Sequence, residues 1–256
     1  MIAIRSEREV AVLRKANEIV ADVLAELAER VAPGVTTAEL DAVAEQMIRA
    51  QGAIPAFMGY RGYPCATCIS VDEVIVHGIP GPRRIEYGQI VSIDVGTLYK
   101  GYYGDAALSV ACGEVDPDRQ RLMDTTNRAL ARAISAAKAG NHVRDISRAV
   151  QETCEAEGFS VVRVFVGHGI GTAMHEEMQI PNFVTGARGP KLREGMVLAI
   201  EPMVNMGTYD VHVLPDGWTA VTADGKPSAH FEHSVVVRKD GGEILSATPR
   251  RTWGRR

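Results

Sequence analysis

The chain has 256 residues, of which 46% are hydrophobic and 23% charged, and its formal net charge is −4. This length allows one large domain or two small ones, and the charge gives no support for a nucleic-acid partner. No apolar run approaches the roughly 20 residues of a membrane span, and the N-terminus lacks a signal-peptide pattern. The sequence therefore predicts a cytoplasmic protein without a membrane partner.

Two helices are predicted first. Ser6 with Glu9, and Thr36 with Glu39, form the capping-box pattern that marks a helix start. Apolar residues spaced by three, four and seven predict a first helix over about residues 7–30. A second helix is predicted from the capping pattern at Thr36 to about Gln51.

Strands and two further helices follow. The stretches 68–78, 89–96 and 101–111 are rich in Val and Ile and are interrupted by Gly and Pro, which predicts β-structure from Cys68 to Val110. Helices are predicted from Asp116 to about Ala139 and from His142 to Glu157. The stretches 160–167, 195–204 and 230–239 predict strands again.

The order of a helix pair and then strands thus occurs twice. This pattern predicts an α+β fold of two similar halves, with a cleft at the seam between them. No linker separates the halves, so we expect one catalytic domain over residues 1–250 and a solvated basic tail over 251–256.

Five residues stand where a charge is costly, inside apolar or glycine-rich segments: Asp94, Asp105, His168, Glu201 and Glu232. Buried charges persist when they are paired or bind metal, and four converging carboxylates would repel one another without cations. Four negative charges balance two divalent cations. The set therefore predicts a dinuclear metal site with room for a water molecule, the nucleophile of two-metal hydrolases.

The first two carboxylates flank a predicted hairpin. If the turn is centred between Tyr99 and Lys100, Asp94 and Asp105 lie directly opposite each other, and a shared cation would offset their repulsion. In the alternative, both are exposed residues near a turn. Glu201 could likewise be a satisfied strand-end glutamate, and Glu232 an outward residue of an edge strand.

Three histidines and the cysteines have similar alternatives. His168 lies in a glycine-rich segment that allows close approach to a metal, whereas His77 and His175 are not needed as ligands and are expected to hydrogen-bond substrate. Each histidine, taken singly, could instead have a structural role.

The four cysteines are expected to be free thiols. The one closely spaced pair lacks the second pair that a structural zinc site needs, and no helix follows it as a redox motif would require.

Six stretches resemble, in order and spacing, the type I methionine aminopeptidases of the bacterial kind, members of the pita-bread family. They are residues 59–80, 90–96, 101–110, 165–177, 195–204 and 228–237. Because they occur in the family's order and approximate spacing, the resemblance covers nearly the whole chain. The resemblance implies the pita-bread fold, in which two pseudo-symmetric halves form a central, curved antiparallel sheet backed by helices.

The resemblance also implies roles for individual residues. The positions matching the five ligands carry two divalent metal ions in the family, with Asp105 and Glu232 bridging them. Those matching His77 and His175 contact substrate, and that matching Glu201 transfers protons. An apolar pocket for the methionine side chain is expected from Phe57, Tyr60, Tyr63, Cys68, Met174 and Trp218.

The implied reaction is removal of the initiator methionine from nascent proteins by a monomer that contacts the ribosome only transiently. The metal remains open among Mn, Fe, Co and Zn, since carboxylate-rich sites accept all four. Proline-directed relatives and a non-catalytic binding module are alternatives, although the former usually carry an extra N-terminal domain and the latter lose metal ligands.

The chain departs from the family at several positions near the ligands: Gly96, Tyr103, Ala106, Ala107, Met174 and His230. Hydroxyl residues are common in the family at Gly96 and after Asp105. Loss of hydrogen bonds to ligands typically changes metal affinity or activity by about 10- to 100-fold. The departures therefore bear on rate and metal affinity.

Overall fold

The helices are arranged in two pairs along the chain. The computed structural model describes residues 2–247. Within this range the α-helices are α1 (Glu7–Arg30), α2 (Thr37–Ala50), α3 (Pro117–Ala136) and α4 (Val143–Glu155). Each pair precedes a set of strands, which confirms the predicted order.

The helix starts follow from local capping. The Ser6 and Thr36 side chains each accept a backbone N–H three residues later, and the glutamate at that position reaches back to the cap. Asp116 caps α3, whose first residue is Pro117, a position where the missing N–H costs no helical hydrogen bond. These helices pack their apolar faces on the sheets.

The strands of the described part of the chain are mostly short. They are β1 (Ile54–Pro55), β2 (Thr67–Val71), β3 (Val74–Val76), β4 (Ile90–Tyr99), β5 (Tyr102–Ala111), β6 (Ser160–Val161), β7 (Gly167–Gly169), β8 (Glu176–Ile180), β9 (Val197–Ile200), β10 (Met203–Asn205), β11 (Val211–Val213), β12 (Ala220–Thr222), β13 (Ser228–His230), β14 (His233–Val237) and β15 (Gly242–Ile244). The pairing is antiparallel, with β1-β4-β2 and β5 beside β4 in one sheet, and β15-β14-β9-β7-β8 in another. Two three-stranded sheets, β13-β10-β6 and β11-β12-β3, complete the arrangement.

Two predicted strands are shorter than expected. The β-structure predicted from Cys68 to Val110 is interrupted between Val76 and Ile90, where Pro80 and Pro82 cannot donate to a ladder. The strand predicted over 160–167 contains only the two residues of β6, which pair with β10.

The hairpin of β4 and β5 has a different register from the one predicted. Its turn is Lys100-Gly101, with φ values of 48° and 83°, so that Tyr99 pairs with Tyr102. Positive φ at both positions is typical of the tight turns that match strand twist. Asp94 therefore lies opposite Ala107 and not opposite Asp105, and the predicted direct pairing is wrong. Because side chains alternate along a strand, the two carboxylates still share one face, as diagonal neighbours.

A seam joins the two large sheets. The backbone N–H of Glu232 donates to the carbonyl of Ala107 at 2.8 Å, and the Ser234 hydroxyl donates to the carbonyl of Asp105 at 2.8 Å. These bonds bring residues close together that are far apart in the sequence. They place Asp105 beside Glu232.

The main core cluster consists of buried apolar side chains from the four described α-helices and from both large sheets. None of the helices described in residues 2–247 combines the length and apolar character needed to cross a membrane. The predicted basic tail, 251–256, lies outside the described residues.

Candidate metal centre and adjoining pocket

The five predicted ligands come from separate strands or strand ends and meet at the seam. They lie on β4 (Asp94), on β5 (Asp105), on β7 (His168), after β9 (Glu201) and before β14 (Glu232). All five line one cavity of about 280 Å³. Their spatial convergence, which spacing alone left open, is observed.

The tightest group contains three of them. Ligand atoms of Asp105, His168 and Glu232 all lie within 4.8 Å of one another. His168 Nε2 is 3.6 Å from Asp105 Oδ2 and 3.5 Å from Glu201 Oε1. Asp94 lines the same cavity, with Cys68 as its neighbour on β2. This arrangement has the donor types and the separation of a metal centre.

Burial makes it unfavourable for these carboxyl groups to be charged when no cation is bound. It raises the pKa of Asp94 to about 8, and it raises the pKa values of Asp105, Glu201 and Glu232, with further increases from neighbouring carboxylates. Asp94 Oδ1, Asp105 Oδ1 and Glu232 Oε1 are buried without a hydrogen-bond donor. Such oxygens are normally satisfied, so the cluster fits divalent cations.

The imidazole ring of His168 presents an acceptor nitrogen to these carboxyl groups. Burial lowers its pKa to about 3, so the ring is neutral. Its Nδ1 lies 3.0 Å from the Gly169 carbonyl, which can only accept, and the single ring proton is therefore on Nδ1. Nε2 then presents a lone pair toward two carboxylates. Acceptors facing one another in this way fit a metal ion between them.

An apolar pocket adjoins these ligands. Phe57, Tyr63, Cys68 and Met174 form a buried cluster with Tyr60 and Trp218 packed against it. The rings of Tyr63 and Trp218 meet edge to face, with centroids 5.1 Å apart. All six residues also line the cavity of the candidate ligands. An extended apolar group can thus lie beside the carboxylates.

The two other predicted histidines also line this cavity. His77 has a φ of 59° and contacts Phe165 edge to face at 5.2 Å, and burial lowers its pKa to about 4. Burial and then the charge of Arg61 lower the pKa of His175, whose ring centroid is 4.2 Å from that of His168. Both rings can act as neutral hydrogen-bond donors to a bound molecule.

The sequence did not predict the places of Phe165, Arg61 and Asn17 in the site, nor the contact that His230 makes there. Phe165 and Arg61 line the cavity. The Nε2 atom of buried His230 is 3.7 Å from Glu201 Oε2, and fully buried Asn17 accepts the backbone N–H of Asp105 at 3.2 Å. Two signals could have found the last pair: His230 is two positions before Glu232, and Asn17 interrupts the apolar face of α1.

The structure excludes most of the simpler alternatives for these residues. Asp105 and Glu232 are 3% and 2% exposed, and β14, which follows Glu232, is paired on both sides. They are therefore neither turn aspartates in solvent nor outward groups of an edge strand. The four cysteines are free, as predicted.

Comparison with known proteins gives a consistent result. The family model for metallopeptidase family M24 matches residues 11–239. The methionine aminopeptidase of Clostridium perfringens is 48% identical over 96% of this chain and 99% of its own length. Methionine aminopeptidase 1 of Bacillus subtilis is 46% identical over the same shares.

Solved structures of methionine aminopeptidases are also similar to this chain. The crystal structure of the methionine aminopeptidase from Thermotoga maritima has a TM-score of 0.95 at 44% identity and covers 97% of this chain and 100% of that one. A prolidase from Pyrococcus furiosus has a TM-score of 0.77 at 23% identity, over 96% of this chain and 65% of that one, and so shares the fold. The chain has the pita-bread fold and belongs to metallopeptidase family M24, among the bacterial methionine aminopeptidases.

Proposed function

We propose that this metallo-aminopeptidase removes the initiator methionine from new polypeptides and favours a small second residue. The observation that carries the proposal is that the carboxylate cluster and the apolar pocket line one cavity. A methionine side chain in that pocket would hold the first peptide bond beside the cluster. A bulky second residue would compete for the same confined space.

Metal binding follows from the family, and its details are proposed from the residues. Asp94, Asp105, His168, Glu201 and Glu232 would hold two divalent cations, and the family resemblance implies that Asp105 and Glu232 would be the shared carboxylates. These two belong, with His168, to the tightest group of candidate ligands. The metal would be Co, Mn, Fe or Zn, according to availability. Cations bound there supply Lewis-acid polarisation of a carbonyl and ionisation of water near neutral pH.

The remaining steps are assigned to side chains of this chain. His175 donates a ring N–H to the oxygen on which charge develops at the carbonyl carbon. Glu201 accepts a proton from the attacking water and returns it to the leaving amine. His77 donates to the bound peptide, and the pocket of Phe57, Tyr60, Tyr63, Cys68, Met174 and Trp218 fixes the thioether and excludes water.

We place this reaction in the cytoplasm, on the N-termini of nascent proteins. The chain is proposed to act as a monomer, with residues 1–250 as one catalytic domain, and to contact the ribosome transiently. The continuous core from α1 to β14 supports the single domain. The proline-directed alternative is not favoured, because methionine aminopeptidases match this chain at 48% and 44% identity over nearly its whole length. A non-catalytic module is not favoured either, because the candidate ligands are all retained.

The test is a peptide assay with metal-reconstituted protein. Met-Ala-Ser and Met-Leu-Ser should be compared for release of free methionine, with Leu-Ala-Ser as a control for the first residue. We expect turnover of Met-Ala-Ser and much slower turnover of the other two. Equal release from Met-Ala-Ser and Met-Leu-Ser would refute the preference for a small second residue.

A further inference from the structure

The hydroxyl of Tyr60 lies against a histidine of the proposed mechanism. Tyr60 Oη is 2.8 Å from His175 Nδ1, and the two ring centroids are 5.3 Å apart. The resemblance predicted Tyr60 only as a wall of the methionine pocket. A pocket wall needs the ring, whereas this contact needs the hydroxyl.

The loop that carries Tyr60 is held tightly. Arg61 has a φ of 50°, in the left-handed region that is unfavourable for a residue with a side chain. Gly59 and Gly62 flank it with φ values of 82° and 90°. The Gly59 N–H donates to the Tyr63 carbonyl at 2.8 Å, and the Tyr60 N–H donates to the Phe57 carbonyl at 2.9 Å. A strained turn fixed by such bonds is typical of functional positions.

The direction of this hydrogen bond and the position of the imidazole proton depend on each other. A neutral imidazole has one N–H, and its other nitrogen is a strong acceptor. A phenol hydroxyl that donates to Nδ1 leaves the proton on Nε2. The second ring nitrogen is thereby kept as a donor toward the cavity that His175 lines.

We propose that Tyr60 is a positioning residue, which holds His175 as the Nε2–H tautomer and in the orientation that donates to the substrate carbonyl. The inference rests on the proposed function, because it gives His175 its role there. The inference adds a hydrogen-bonded pair to that function. In this pair the Tyr60 hydroxyl acts through the imidazole of His175 and does not itself contact the reacting atoms.

The first test compares Tyr60→Phe with wild type on Met-Ala-Ser. Phenylalanine keeps the apolar wall and removes the hydroxyl, so we expect KM within about twofold and kcat lower by about tenfold, as for loss of one hydrogen bond. Metal content should be unchanged. A raised KM with unchanged kcat would overturn the proposal, since Tyr60 would then be a pocket wall only.

The second test is a double-mutant cycle. If Tyr60 acts through His175, then Tyr60→Phe should leave kcat unchanged within about twofold when made in the His175→Ala protein. An equal loss of kcat in both backgrounds would overturn the proposal. If His175→Ala alone kept wild-type kcat, the role of His175 in the proposed function would fail instead, so that the two failures are distinguishable.

The third test reads the tautomer without turnover. Zinc-loaded protein labelled with ¹⁵N-histidine should show, for the ring signal absent from His175→Ala, the shift pattern of a protonated Nε2. In Tyr60→Phe this signal should move toward the pattern of mixed tautomers. An Nδ1-protonated ring in wild type, or an unchanged pattern in Tyr60→Phe, would overturn the proposal even if the kinetics were ambiguous.

Discussion

At the residue scale, the site is a set of buried acidic groups that repel one another when they are charged. Oxygens of Asp94, Asp105 and Glu232 lack donors, and His168 points a lone pair toward two carboxylates. Without metal, the folded protein relieves this repulsion by holding protons. Metal replaces those protons, so metal binding and folding stability are linked.

This linkage predicts a pH dependence for the metal-free protein. The pKa of Asp94 is raised in the folded state, to about 8, whereas an unfolded aspartate titrates near about 4. The stabilising contribution of such a group is complete below the unfolded pKa and is lost as the pH rises through the folded pKa. Buried His168, with its pKa lowered to about 3, adds little slope above about pH 7.5, because an unfolded histidine, with a pKa of about 6.5, is then nearly neutral as well.

We therefore expect the Tm of protein in chelator to fall as the pH rises from about 7.5 to about 8.5. Metal-loaded protein is the control and should show a smaller fall, because its carboxylates are already deprotonated. Thermal unfolding followed by circular dichroism is the measurement. A Tm in chelator that is constant or rises across this window would contradict the prediction.

Removing one shared carboxylate should release metal. In Asp105→Asn an anionic ligand is lost from the tightest group, so we expect bound metal and hydrolysis of Met-Ala-Ser to fall to near background. The control is Asp41→Asn, a partly buried carboxylate that accepts hydrogen bonds from Thr67 and does not line the cavity. Metal analysis after dialysis decides it, and two metals retained by Asp105→Asn would refute the assignment.

The two histidines proposed to contact substrate should differ from the ligands and from each other. His175→Ala should keep its metal and lose kcat by about 100-fold, as expected for loss of one donor to developing charge. His77→Ala should change KM more than kcat, because a contact equal in ground and transition states affects binding alone. Metal content and steady-state kinetics are the measurements. A metal-free variant would make that histidine a ligand.

At the element scale, local signals predicted the helices well and the hairpin register poorly. The capping residues Ser6, Thr36 and Asp116 specify helix starts within a few neighbouring residues. The register of β4 and β5 depends on which two residues form the turn, and moving the centre from before Lys100 to after it changed the partner of Asp94. Periodicity shows which residues share a face but not where a turn is centred.

One departure from the family is explained at this scale. A side chain at Gly96 on β4 would place its Cβ 2.5 Å from Cε1 of Phe57. Gly96 therefore provides the space in which the Phe57 ring lies, and the two residues together form part of the pocket wall. The sequence indicated a lost hydroxyl at this position but gave no sign of the ring that replaces it.

Adding a methyl group at Gly96 should disturb the pocket and not the metal. In Gly96→Ala the Phe57 ring must move, so we expect KM for Met-Ala-Ser to rise about tenfold at unchanged metal content, the scale of overpacking of about 1–3 kcal/mol. Gly186→Ala is the matched control, since an added Cβ there meets nothing within 4 Å. An unchanged KM would show that Phe57 does not shape methionine binding.

At the scale of the whole molecule, the site exists because two sheets meet. The hydrogen bonds between Glu232 and Ala107 and between Ser234 and Asp105 close the seam. The sequence marked the ligands by their apolar settings, and the family resemblance supplied their common location. It could not supply the contacts of Asn17 or His230, because these depend on distant elements packing together.

The central claim is that divalent metal in this carboxylate cluster drives removal of an N-terminal methionine. Metal-free protein should be titrated with Mn²⁺ while bound metal and methionine release from Met-Ala-Ser are measured in the same samples. We expect no release without metal, and release that rises with bound metal until up to two ions per chain are held. Full activity in chelator, or bound metal without any methionine release, would contradict the account.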